Sequence, residues 1–408
     1  CSACKVLRAA SESPIVRDAV VQLEGVAMLL LVMREHSKHT GVNEHAAAAL
    51  ANLEVTPEVC KSVLDQDGLA LLFSAMKRFK KEENVEAEVS RALDRLLELV
   101  PECRVAFCKF SPVEVLETVL SNFSSNRDVA YNVCGMLSSL AGELAHKIGR
   151  YNQSLLNLVD ECLEKHQTDD YTETHVLLAV ASLSEDEKCR DFFVSKDTHV
   201  LVRNLLNEHQ EKIEVVRACY KALLQFVKVP ACVERLVEDN CIDLSSNTLH
   251  RYLEDSALMT DVCDVLVSFG IRDEWVEKMD AVGLVNKCVL ILGRHSDCRE
   301  TVLSNVHLLH VLHRPCIRKS FDGSSVVVQL VECSSKYLLD LPALQEILDL
   351  LDEMCEFDPE RNALGEVVAF LVKAMRSYSN EELLQRVSCV LIARVSENKN
   401  NWSDLLKG

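Results

Sequence analysis

The sequence is poor in the residues that punctuate turns. Twelve glycines and eight prolines in 408 residues exclude a collagen-like or low-complexity chain and the turn-rich strands of a sandwich or barrel. Aromatic residues are also scarce, at 5%, so aliphatic side chains have to build the core. Lys and Arg, 44 in all, are outnumbered by 63 Asp and Glu, for a formal charge of −19. That balance excludes a general binder of nucleic-acid backbones, which recruits cations to displace counterions. No apolar run reaches the roughly 18 residues of a membrane span; the longest, Val26 to Met33, suits a buried helix. GxGxxG, P-loop, HExxH, GxSxG and paired HRD/DFG motifs are missing, so the chain is not expected to be an enzyme. Neither cofactor nor metal is expected.

Eighteen cysteines would signal a disulfide framework in a short secreted chain. Here they fall within helical patterns, where a thiol behaves as a small hydrophobe, and the expected compartment is the reducing cytoplasm or nucleus. The sequence starts at Cys1 with no signal-like segment. Cys1 to Ala10 reads as the remnant of a helix, and Trp402 to Leu406 as the start of another unit. Both ends are therefore expected to fall within a repeat.

What is present is periodicity. The last apolar residue before each loop runs Ala10, Leu53, Leu96, Leu140, Leu183, Phe226, Phe269, Leu312, Met354, Val395, at intervals of 41 to 44 residues. Three residues earlier lies a second ladder, Leu7, Leu50, Leu93, Leu137, Val180, Leu223, Leu266, Leu309, Leu351 and Ile392. Such spacing is one face of an amphipathic helix, used once per repeat. Pro14, Pro57, Pro101, Pro230, Pro315 and Pro359 follow an anchor by three to five residues, where proline ends one helix and suits the first turn of the next. Gly25, Gly68, Gly283, Gly323 and Gly365 mark a second break, with Pro112 in the same place. Each unit thus predicts a short helix (58–64), a medium helix (69–79) and a long helix (85–99).

Three helices in about 42 residues, with glycine before the second, resemble the armadillo repeat; the block Asn43 to Phe79, NEHAAAALANLEVTPEVCKSVLDQDGLALLFSAMKRF, carries the likeness best. The resemblance implies an all-α, right-handed armadillo-type superhelix of about nine repeats, one domain over 1–408, with third helices lining a concave groove. It implies a non-catalytic scaffold that binds a protein or peptide in that groove; it gives no reason to expect nucleic acid or membrane as partner, and oligomeric state is not legible. Met33-Arg34, Met76-Lys77 and Met375-Arg376, ending second helices, resemble armadillo blocks of leucine-rich-repeat kinases and kinase-like proteins. The alternative reading is accordingly the regulatory region of a larger kinase-like protein.

Several groups look like sites and read better as structure. Cys60, Cys103, Cys189 and Cys232, with His146 filling the gap, recur at one short-helix position; helices packed about 10 Å apart cannot bring them to one zinc ion. Cys1 and Cys4 lack a second pair. His307, His310 and His313, with Cys316 beyond, lie on one flank of a third helix, and two of them have chelating spacing. His295, Asp297 and Cys298 are too close in sequence to form a nucleophilic site. The stretch Glu164 to Glu173 reads as a lengthened acidic loop.

Armadillo proteins that carry nuclear-import cargo present Trp and, four residues on, Asn from each third helix. Of the matching positions here only Asn52 fits, so that array is not present. The groove positions are instead Asn52, Arg91, Arg95, Ser139, Ser182, Lys221, Gln225, Asp264, His307, Asp349 and Glu353. They predict a basic stretch at Arg91, Arg95 and Lys221 and an acidic one at Asp264, Asp349 and Glu353, a gradient suited to orienting a charged peptide.

Overall fold

The computed structural model describes residues 2–314, 323–357 and 365–397. Every regular element among them is an α-helix, and none is long and apolar enough to cross a membrane. Contacts divide the chain into two compact units, Cys1–Phe226 and Val227–Gly408.

The first unit begins with α1 (Ser2–Ala10) and continues in triplets. The first is α2 (Pro14–Gln22), α3 (Gly25–Glu35) and α4 (Thr40–Asn52); the second is α5 (Pro57–Asp65), α6 (Gly68–Arg78) and α7 (Glu83–Leu99). Then come α8 (Pro101–Cys108), α9 (Val113–Phe123) and α10 (Arg127–Tyr151), followed by the pair α11 (Gln153–Lys165) and α12 (Asp170–Leu183). The unit closes with α13 (Glu187–Ser195), α14 (Thr198–Glu208) and α15 (Ile213–Phe226). Its third helices pack in series, α1 on α4, α4 on α7, α7 on α10, α10 on α12 and α12 on α15.

The second unit holds α16 (Pro230–Glu238), α17 (Cys241–Arg251) and α18 (Ser256–Phe269), then α19 (Asp273–Ala281), α20 (Leu284–Arg294) and α21 (Arg299–Leu312). After these come α22 (Gly323–Lys336) with α23 (Leu341–Phe357), and α24 (Gly365–Ser377) with α25 (Glu382–Glu397). Here α18, α21, α23 and α25 pack in series.

The predicted ladders are the seam of both units. Leu53, Leu96, Leu140, Leu183, Phe226, Phe269, Leu312 and Met354 are buried, as are the residues three earlier from Leu50 to Leu351. Each such side chain contributes roughly 1.5–3 kcal/mol when fully buried. Leu7 and Ala10 of α1 are only half-buried. Met33 and Met76 are buried as well, so these two belong to the core, whereas Met375 is half-buried.

Two expectations need correction. Third and first helices are fused across Leu140 into the single α10, because Ala141 to Ala145 offers neither proline nor a capping side chain and Gly142 alone does not stop a helix. Glu164 and Lys165 complete α11, and α12 starts at Asp170, so the stretch is a four-residue turn between helices and its acidic residues open α12. The glycines, too, act differently from expectation. The left-handed residue preceding the second helix is Glu24, Asp67, Ser111, Asp197 or Asn240, and a glycine only at Gly283. Gly25 and Gly68 stand one residue later, where a Cβ would meet Val20 Cγ1 at 2.4 Å or Val63 Cγ1 at 2.8 Å. Close approach, rather than backbone freedom, demands glycine there.

Candidate partner-binding groove

In the first unit the exposed faces of α7, α10 and the start of α12 enclose a groove of 630 Å³. Arg91, Arg95, Asp94, Glu98, Tyr131 and Thr172 are among its lining residues. The amphipathic pattern that buries Leu93 and Leu97 of α7 turns Arg91, Arg95 and Glu98 outward, one helical turn apart.

Arg91 and Arg95 reach back to the preceding third helix. Arg91 Nη2 donates to the Ala48 carbonyl at 3.3 Å, and Arg95 Nη1 to the Ala51 carbonyl at 2.8 Å. Asn52 does the same one repeat earlier, its Nδ2 donating to the Arg8 carbonyl at 3.1 Å and to Ser11 Oγ at 3.2 Å. In the second unit Arg394 donates to the Asp352 carbonyl at 2.8 Å. Ala51 and Arg8 stand in the last turn of their helices, where carbonyls lack an intrahelical donor, and the donor side chains both line the face and tie neighbouring repeats together.

The end expected to be basic is mixed instead. Glu88, Asp94, Glu98, Asp128 and Asp169 line it beside the arginines. Glu88 accepts from Arg91 at 2.7 Å and from Arg8 at 2.6 Å. Asp94 sits on the floor, where burial and the Glu98 carboxylate push it well above the usual carboxylate range, with Arg95 opposing. Gly135 makes room for it: a Cβ there would lie 2.4 Å from Asp94 Oδ1. The Tyr131 ring packs on His175 with centroids 3.8 Å apart, and burial lowers the His175 pKa.

The other predicted positions distribute as follows. Ser139 is half-buried, Ser182 Oγ lies 3.0 Å from Ser138 Oγ, Lys221 is exposed and Gln225 half-buried. In the second unit Asp264 is half-buried and Asp349 exposed; burial, with Glu346, raises the Asp349 pKa. His307 Nε2 lies 3.6 Å from Glu346, while Glu353 meets His310 at 3.0 Å and His313 at 3.6 Å. The structure thus joins Arg91 with Arg95, and it spreads the histidine flank over acids of the next helix. Cys316, Trp402 and Cys1 lie outside the described residues.

The cysteine row is buried, and burial pushes Cys103 up to about 11 and Cys189 up to about 12; such thiols are poor nucleophiles. His146, in the same row, is exposed and pairs with Asp186 at 3.4 Å. His295 is spent on the Leu253 carbonyl at 2.5 Å, and Trp275 is buried in α19 under Arg272.

Sequence reading missed the polar residues that the long helices turn inward. Ten residues before the anchor, Asn43 donates to the His36 and His39 carbonyls at 3.2 and 2.9 Å. Gln385 donates to the Met375 and Tyr378 carbonyls at 2.8 and 2.9 Å. Glu86 and Glu173 occupy the same register, fully buried, and desolvation lifts them to about 9 and about 8. The signal is a polar residue recurring where the ladder elsewhere places Ala130, Val216, Met259, Val302 or Leu344.

Comparison with known proteins bears on the fold. A family model described as "Protein zer-1 homolog-like, C-terminal domain" matches residues 15–154, and no curated protein matches the chain. A chain from the structure described as "A conserved phosphorylation switch controls the interaction between cadherin and beta-catenin in vitro and in vivo" is 13% identical. It covers 96% of this chain and 87% of its own, with a TM-score of 0.53. An engineered protein is 18% identical, covering 60% of this chain and 96% of its own at a TM-score of 0.50. With its three-helix repeats, buried ladders and serially packed third helices, the chain has the armadillo-type α-solenoid fold.

Proposed function

We propose that the chain is a non-catalytic interaction scaffold, and that the α7–α10–α12 groove receives a peptide or helix from another protein. The observation that carries this reading is the groove itself. It offers both signs of charge beside the Tyr131–His175 ring pair, on a face built of third helices. Aromatic and arginine side chains are what protein interfaces enrich, and interleaved charge sets register more than affinity. The similar chain noted above comes from work on an interaction between cadherin and β-catenin, and use of the armadillo face for a protein partner is the same kind of use. The unbroken ladder supports treating 1–408 as a single armadillo region.

The test is capture of partners from cell extract by the chain and by the double variant Arg91→Glu/Arg95→Glu, compared by quantitative mass spectrometry. We expect the variant to lose a defined subset of partners while its helical circular dichroism is retained. Undiminished capture of every partner by a folded variant removes the groove from the reading.

A further inference from the structure

Away from the groove floor, one set of ligating side chains converges among the described residues. Asp170 and Glu173 of α12 and His209, in the turn before α15, each bring a ligand atom within 4.8 Å of the others. A first-turn acid is ordinary at a helix N-terminus, but Glu173 points inward: its side chain is 0% exposed, and neither carboxylate oxygen has a hydrogen-bond partner. His209 Nε2 is buried 3.3 Å from Glu173 Oε2 and makes no hydrogen bond either.

The repeat itself provides a control. At the junction two repeats earlier, Glu83, Glu86, Phe123 and Asn126 stand where Asp170, Glu173, His209 and Lys212 stand here. The outer acid is held alike in both, Asn126 Nδ2 donating to Glu83 Oε1 at 2.5 Å and Lys212 Nζ to Asp170 Oδ1. Where phenylalanine closes the first junction, an imidazole closes the second. Two other histidines at this register spend Nε2 on a carbonyl of the preceding loop, His166 on Ser124 at 2.8 Å and His295 on Leu253 at 2.5 Å. His209 instead turns Nε2 toward the buried carboxylate.

We propose that Asp170, Glu173 and His209 form a zinc site that clamps the first turn of α12 to the turn preceding α15. Two carboxylate oxygens and one imidazole nitrogen are ligands zinc takes at about 2.0–2.2 Å, with water completing a tetrahedron. Lys212 holds Asp170 through Oδ1 and leaves Oδ2 for the ion. A divalent cation also supplies counter-charge to a carboxylate that burial keeps dry. Asp169, Tyr171 and Thr172 of the same turn line the groove, so the ion stiffens one groove wall. The site does not depend on what the groove binds.

The experiment is a titration of the chelator-stripped full chain with Co²⁺, followed by competition with Zn²⁺. We expect one equivalent bound, with the intense visible d–d bands of four-coordinate Co²⁺ and no near-ultraviolet thiolate band, which separates this site from the cysteines. His209→Phe, the residue of the control junction, should weaken binding at least tenfold, as should Glu173→Gln. Glu86→Gln should leave it unchanged, and circular dichroism reports whether each variant folds. If His209→Phe fails to fold, Asp170→Asn replaces it. No uptake, uptake with a thiolate band, or uptake indifferent to these substitutions overturns the proposal and leaves Glu173 as a neutral acid in the slot that Asn43 fills with an amide.

Discussion

Two junctions of the first unit share one plan and a buried glutamate, and differ most in the ring that closes the turn. Between α7 and α10 a buried Glu86 lies under Glu83, with Phe123 closing the turn; between α12 and α15 a buried Glu173 lies under Asp170, with His209 closing it. Both keep an outer acid bound by the next repeat. The repeat dictates where these side chains stand, because each position follows from its offset to the buried anchor. It leaves their chemistry open. A ring of carbon makes the first junction a place to store a neutral acid, and a ring with nitrogens makes the second a place to hold a cation.

The largest expected effect breaks the first junction. Glu86 titrates at about 9 in the folded chain against an ordinary 4.5, so between those values the folded state holds a proton that the unfolded state has lost. Stability from this group is therefore complete below pH 4.5 and falls as pH rises toward 9, by up to about 1.4 kcal/mol per pH unit. Glu86→Gln keeps the shape, offers the amide that Gln385 uses at this register, and removes the titration. Urea midpoints measured at pH 5, 7 and 9 should decline more steeply for the wild type than for the variant, with the gap widest at pH 9. Parallel declines would mean that Glu86 is ionised and paired.

A smaller effect separates the outer acids. Lys212→Ala removes an exposed ion pair between repeats, worth about 0–1 kcal/mol, whereas Asn126→Ala removes both its contact to Glu83 and the cap whose Oδ1 accepts from Val129 N, worth about 0.5–2 kcal/mol. Thermal midpoints in low and high salt distinguish them. The loss from Lys212→Ala should shrink as ions screen the pair, whereas the loss from Asn126→Ala should be less sensitive to salt because the asparagine is uncharged.

The seam was legible from Leu50 to Met354 because aliphatic spacing is a property of sequence alone: Leu93, Leu137 and Leu266 are buried as the ladder requires, whereas Leu7, Ala10 and Ile392 are half-buried. The fusion in α10 was legible only as a missing proline. Groove residues were half legible. Arg91 and Arg95 do face one cavity, and Glu88, Asp94 and Glu98 share their helix, but Asp128 and Asp169 come from α10 and from the turn before α12, a convergence that no single helix displays. Asp170, Glu173 and His209 were harder still. Two lie one turn apart on a helix and the third is 36 residues further on, so they form no short-range ligand motif of the kind His307 and His310 have.

The smallest expected effect sharpens the comparison by rebuilding the difference. Phe123→His places an imidazole at the α7–α10 junction, at the register position that His209 holds beside Glu173. If His209 is what turns an acid pair into a cation site, the variant gains a second Co²⁺ equivalent. That site should bind more weakly than the first, because Glu83 carries one more methylene than Asp170 and Phe123 is only half-buried. A thermal midpoint rise on adding Co²⁺ to Phe123→His, beyond the rise seen in the wild type, is the reading that counts. Combining Phe123→His with His209→Phe should move the stronger equivalent out and leave the weaker one in place. A variant that binds no additional ion would show that the positions of α12 and its turn, and not the imidazole alone, decide which junction takes a cation.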